Sequence, residues 1–279
     1  MKNLSLLTIL LAVFWVLCFA AQCDASSDSS LAAKSQNPVG DIISIPMENN
    51  TYFEVGPAEE WANALLLKPV YPVNLGKLNL INRFIIPFIY IEDQEFNLDF
   101  GETSQPVQFD SESGLGNISY QAFFSPAAPG QIIWGLGPVV EFPTHTPDLL
   151  GTDKWSAGPA LVILSMPKPW VYGILLQNIW SFAGPDDEPD VNKFTFQYFL
   201  NYNLANGWYL TSSPVITANW EADDSDNRWT VPFGGGVGRL VRLGKLPVDF
   251  KVQAFGYAEK TDFGPDWSLQ FQVKFLLPK

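Results

Sequence analysis

The chain has 279 residues, 29 acidic against 16 basic side chains for a formal net charge of −13, and 14% aromatic residues. That balance excludes binding along a nucleic-acid backbone, because it offers no excess of cations to displace phosphate counterions. Both cysteines, Cys18 and Cys23, lie before Ala25, so a chain cut there holds no disulfide, no cysteine-ligated metal and no cysteine nucleophile.

Lys2 precedes an apolar run from Leu4 to Ala21 that only Ser5 and Thr8 interrupt, and small residues stand at Ala20, Ala21 and Ala25. Residues 1–25 therefore read as a cleaved secretory signal peptide, cut after Ala20 or Ala25. The following stretch is polar and rich in serine, which predicts a flexible periplasmic arm over 26–40. From 41 to 279 apolar residues recur with a period of two, and no later run is long enough for a membrane-spanning helix.

Cutting 41–279 at its glycine, proline and acidic clusters gives twelve predicted strands: 41–55, 61–73, 77–91, 114–125, 131–143, 155–166, 170–183, 191–203, 208–221, 228–242, 248–259 and 267–277. In the last of these Trp267, Leu269, Phe271, Val273, Phe275 and Leu277 alternate with polar residues. Phe194, Phe196, Tyr198, Leu200 and Tyr202 do the same, with Phe199 the one intruder on their polar face. The connections at Asn74 to Gly76, Ser125 to Gly130, Pro167 to Pro169, Leu204 to Gly207 and Leu243 to Pro247 are short, while those between them are mostly longer. The longest loop is expected from Glu92 to Ser113.

Of the 28 acidic residues beyond Ala25, 22 fall at the long-loop end, whereas the short turns carry Lys77, Lys168 and Lys245. Trp61, Trp155, Trp180, Trp220, Trp229 and Trp267 mark strand ends beside the long loops, and Trp134, Trp170 and Trp208 lie toward the other end. Two aromatic belts, an even strand count and unequal connections predict an all-β fold, an antiparallel transmembrane β-barrel of about twelve strands in the bacterial outer membrane, with lipid as its surroundings. Pro69, Pro72, Pro87, Pro138, Pro214 and Pro232 fall inside these strands; each removes a ladder donor and so requires a bulge, lumen-side water or a shifted boundary.

If the apolar set of each strand faces lipid, alternation points Arg83, Glu141, Lys193, Asp249, Lys251 and Lys274 into the lumen. Asp186, Asp187, Glu188, Asp223, Asp224 and Asp226 form an extracellular acidic rim; divalent cations are a candidate partner there, although the glycine-spaced ligand pattern of a dedicated calcium site is missing. Gly234, Gly235, Gly236 and Gly238 precede no helical pattern, so they read as strand coiling or as room in the lumen rather than as a phosphate loop. The single histidine, His145, has no spaced nucleophile or carboxylate and reads as a loop residue. No catalytic residue, metal ligand or cofactor site is assigned, and an enzyme is not expected.

Several long segments resemble a known family. They are Asn37-Pro38 with Asp41-Ile42-Ile43-Ser44-Ile45-Pro46, Gly114-Leu115-Gly116-Asn117, Lys154-Trp155-Ser156-Ala157-Gly158-Pro159, and Trp180-Ser181-Phe182-Ala183-Gly184. Gly207-Trp208-Tyr209-Leu210-Thr211-Ser212-Ser213-Pro214, Trp229-Thr230-Val231-Pro232 and Gly264-Pro265-Asp266-Trp267 complete the set. Together they resemble the outer-membrane β-barrels known as meta-pathway phenol-degradation transporters, many of whose members carry the misleading label neuromedin U. Asn117 departs from the acidic residue frequent there, and Phe275-Leu276-Leu277-Pro278-Lys279 departs from the terminal aromatic typical of outer-membrane strands. The resemblance implies passive uptake of small solutes, aromatic or hydrophobic compounds among them, and supplies no binding residues. The alternative expectation is a plugged barrel with a structural or adhesive role, whose acidic loops bind cations or partners.

Overall fold

The computed structural model describes residues 25–100 and 103–277. The signal-peptide reading of residues 1–24 lies outside the described residues. Alternation sets the fold: in a strand successive side chains point to opposite faces, so a period-two chain has one face for lipid and one for the interior.

One helix, α1 (Ala25–Ser35), leads into β1 (Ile43–Val55), β2 (Glu60–Leu67), β3 (Val70–Asn74) and β4 (Leu78–Ile91). A hairpin of β5 (Gln94–Phe100) and β6 (Thr103–Phe109) follows, then β7 (Glu112–Leu115), β8 (Ile118–Pro126), β9 (Ile132–Phe142) and β10 (Trp155–Ser165). The chain continues through β11 (Trp170–Ala183), β12 (Asn192–Asn203), β13 (Trp208–Ser212), β14 (Val215–Asn219), β15 (Trp229–Leu243), β16 (Leu246–Glu259) and β17 (Trp267–Leu277). Fifteen of these form one antiparallel sheet that closes on itself, because β11 pairs with both β10 and β12. β2 with β3, β7 with β8 and β13 with β14 are each one broken stave, so the barrel has twelve staves.

The breaks show how the wall accommodates proline. In lipid no water replaces a missing ladder partner, so the backbone must be satisfied from within the protein. Pro69 lies between β2 and β3, Pro214 between β13 and β14, and Pro232 at a register shift against β16. Pro138 and Pro159 face each other across β9 and β10. Beyond both the ladders skip, between Gln121↔Val139 and Phe124↔Leu136 on one side and between Ala157↔Trp180 and Ala160↔Gln177 on the other. Pro87 faces the β7/β8 break and still accepts from the Gly116 amide at 2.9 Å. Pro72 lies past the last rung that β3 shares with β1, Ser44↔Val70. The predicted strands 61–73, 114–125 and 208–221 are therefore each two strands, and this corrects their boundaries.

Two further expectations change. The loop expected over 92–113 contains the β5–β6 hairpin, which lies outside the barrel sheet. The arm expected to be unstructured begins as helix α1, and from residue 30 onward it packs on the barrel: Ala32 is fully buried with Leu240 and Leu276.

The outer surface is apolar. Ile132, Leu136 and Phe88 are 64%, 52% and 49% exposed on one face of their strands, which suits lipid and would be a liability in water. Aromatic contacts sit at the stave ends, with Trp267 stacked on Phe53 at 4.0 Å and Trp220 edge-on to Trp229 at 5.5 Å beside the long loops, and Trp170 against Tyr202 at 4.7 Å near the short turns.

Candidate functional site

The interior wall has two chemical halves. From β8 to β12 much of the inner face is apolar: Phe123, Val139, Val162, Leu164, Val171, Leu175 and Phe199 belong to one buried cluster that also takes in Ile81 and Val39, with the polar side chains of Gln121, Glu141, Gln177, Lys193, Gln197 and Asn201 set among them. Phe199, which breaks the alternation of its strand, is thereby explained as part of this inner face rather than of the lipid face. The opposite half, built by β1, β3, β4, β13, β16 and β17, carries polar and charged side chains.

Where the halves meet there is a cavity of about 160 Å³. Arg83, Asp249, Lys251 and Lys274 line it, as do Glu48, Lys68 and residues 34–38 of the N-terminal segment. The register stacks these groups in layers near the short-turn end, with Lys274 opposite both Asp249 and Pro46, and Gln272 opposite both Lys251 and Glu48. Lys68 Nζ lies 2.6 Å from Glu48 Oε1. Tyr209 donates its hydroxyl to Asp249 Oδ1 at 2.9 Å, while Lys274 Nζ donates to the Ser35 carbonyl at 2.8 Å and lies 3.9 Å from Asp249 Oδ2. The Arg83 guanidinium stands 5.9 Å from the Phe123 ring centre, and its Nη1 is buried without a hydrogen-bond partner. Among the described residues Lys251 Nζ donates only to Ser213 Oγ, at 3.5 Å.

Glu141 and Lys193 are elsewhere. Their ion pair, 3.1 Å long, joins β9 to β12 with two staves between them, so it crosses the interior toward the long-loop end. Gln121 of β8 likewise donates to Gln177 of β11 at 2.7 Å. On the polar half a column of amides continues from the cavity: Gln253 Nε2 donates to Ser213 Oγ at 2.9 Å and to Gln270 Oε1 at 2.6 Å, and Gln270 donates to Asn50 at 3.0 Å.

Glu48, Lys68 and Tyr209 were not singled out by sequence. Glu48 carried a signal, since it falls on the polar phase of a strand between Met47 and Asn49. Lys68 carried none, because it sits at the Pro69 break where alternation fails.

Asp186, Asp187, Asp223, Asp224 and Asp226 are exposed on the loops between β11 and β12 and between β14 and β15, with Glu188 half-buried. Among the described residues no three histidine, cysteine or carboxylate side chains gather closely enough to hold a metal ion. His145 is a loop staple: its Nδ1 lies 3.0 Å from Asn117 Oδ1, and its Nε2 lies 3.6 Å from Asp153. Neighbouring Thr144 and Thr146 accept from the Ile118 and Leu115 amides at 2.8 and 3.1 Å, which fills the ladder at the β7/β8 break.

Neither the protein-family models nor the curated proteins match this sequence. Among solved structures, the chain is similar to an outer-membrane channel from Pseudomonas putida F1, with a TM-score of 0.63 and 16% identity over 85% of this chain and 96% of that one. It is also similar to the NanC porin, with a TM-score of 0.50 and 7% identity over 85% and 100%. A monoaromatic hydrocarbon channel, CymD, aligns with a TM-score of 0.48 and 9% identity over 92% and 93%. Closure into twelve staves, the exposed apolar wall and the likenesses to the Pseudomonas putida channel and the NanC porin give the chain the fold of a bacterial outer-membrane β-barrel.

Proposed function

We propose that the barrel is a passive channel for small solutes, with a preference for molecules that have apolar as well as polar surface, and that it belongs with the phenol-degradation transporters its motifs resemble. The observation that carries this reading is the divided interior, a cavity of about 160 Å³ with Leu175 and Phe199 on one side and charged groups on the other. An apolar cluster beside placed polar groups suits a solute that has both kinds of surface. Proteoliposomes containing the protein should take up phenol-like solutes faster than sugars of similar size. Equal rates for both would make it a general pore, and no flux of either would defeat the channel reading.

A second reading, a plugged structural barrel, is favoured by specific contacts. The interior is crossed by Glu141–Lys193 and Gln121–Gln177, and residues 34–38 close on the cavity from the short-turn end. Absent flux in demonstrably folded protein would support this reading.

A further inference from the structure

We infer that the interior cavity is a binding site for a small monocarboxylate whose apolar body is about the size of one ring, an inference that rests on the channel reading and names the solute class it favours. Among the residues lining the cavity, five cations, Lys34, Lys68, Arg83, Lys251 and Lys274, face two carboxylates. Both carboxylates are engaged. Glu48 is held by Lys68, and Asp249 accepts from Tyr209 with Lys274 nearby.

Arg83 and Lys251 are left with no carboxylate within ion-pairing distance among the described residues, and Arg83 Nη1 is buried without any hydrogen-bond partner. A buried, unpaired guanidinium is costly, and its planar fork matches a carboxylate with two parallel hydrogen bonds. An anion placed there satisfies the orphaned donor and balances the excess charge; a cation would do neither.

The rest of the ligand is set by what faces these two groups. Leu175 and Phe199 bring hydrocarbon to the same cavity beside the amides of Gln197 and Asn201, and its volume of about 160 Å³ is of the size that holds a benzene-sized body. A bare inorganic anion would leave that surface uncovered, and a long acyl chain would exceed the space.

The test uses the full mature chain purified in detergent and titrated calorimetrically with benzoate, benzyl alcohol, benzylammonium and inorganic phosphate. Benzoate should bind at least roughly tenfold more tightly than the other three, the span of one charge-assisted hydrogen bond. Arg83→Gln and Lys251→Gln should each weaken benzoate by about fivefold to tenfold and leave benzyl alcohol unchanged, whereas Lys77→Gln at an exposed turn should leave benzoate binding as it was. Heat-modifiable migration establishes that each variant is folded. Equal affinity for benzoate and benzyl alcohol, phosphate binding as tightly as benzoate, or indifference of a folded Arg83 or Lys251 variant each overturns the site. Failure of benzoate binding with normal benzyl alcohol flux in proteoliposomes removes the site and leaves the channel. Benzoate binding without any flux removes the channel and leaves the site.

Discussion

Gly238 faces the interior directly beside Tyr209, and a Cβ there would collide with the phenol ring. The glycine is what lets Tyr209 lie flat against the wall and reach Asp249. Gly238→Val should therefore lower the barrel's unfolding free energy by about 1–3 kcal/mol, as overpacking does; an unchanged urea midpoint would show that the ring has room to move. Charge at single residues is expected to govern ion passage as well. If the channel conducts, Lys251→Glu combined with Lys274→Glu should shift the zero-current potential in planar bilayers toward cations, and an unchanged potential in an open channel would place the conducting path elsewhere. Residue by residue, alternation was enough to divide most strands into two faces, because a one-residue slip would turn every lipid-facing side chain inward. It was silent where a residue serves tertiary contacts alone. Val248 and Phe250 lie on the apolar phase of β16 yet are buried, covered by Trp208, Phe271 and their neighbours on the same face.

At the scale of elements, the strands were legible and their interruptions were not. Proline announces a missing donor, but only the neighbouring ladders show whether a break, a bulge or a facing proline absorbs it, as Pro138 and Pro159 do together. Helix α1 was hidden because ASSDSSLAAKS carries little apolar periodicity; its position depends on partners distant in sequence, such as Leu240 and Leu276. Residues 34–38 and Ile42 line the cavity and Val39 packs against the inner cluster, so deleting 25–42 should raise single-channel conductance. Unaltered conductance would mean that this segment does not obstruct the path. Another element-level contact is titratable. A hydrogen bond from the Lys260 amine, together with its charge, holds the Asp266 carboxyl below its ordinary value in the loop before β17. A depressed carboxylate stabilises the fold above its unfolded pKa, so the difference between the parent and Lys260→Met should be present above about pH 4 and vanish as the pH falls through the lowered value. It should be small throughout, since the pair is exposed, and a difference that grew on acidification would contradict the sign.

For the whole molecule, the barrel fold and apolar wall lead to protein that fractionates with the outer membrane, migrates on gels in a heat-modifiable way and gives a β-type circular dichroism spectrum. Recovery in soluble form without detergent would contradict all three. The five short turns, four of them between β3 and β4, β8 and β9, β10 and β11, and β15 and β16, share one end, and the acidic loops share the other. With the acidic end outside, an impermeant thiol reagent on intact cells should label Asp187→Cys and spare Lys168→Cys, and the converse would invert the orientation. Twelve staves and their turns were readable because each is local, and their even count with two aromatic belts pointed to a closed barrel; the register of the closing seam was not readable. The seam joins β1 to β17 over eleven rungs, from Ile43↔Leu277 to Phe53↔Trp267, and the Gln270–Asn50 bond across it spans 220 positions. Contacts so distant in sequence form late, after a large loop entropy has been overcome. Until the final strand has been made, β1 therefore waits as an open edge that any extended segment could occupy, so the hazardous interval in this protein's life is set by synthesis and delivery of its last eleven-residue strand.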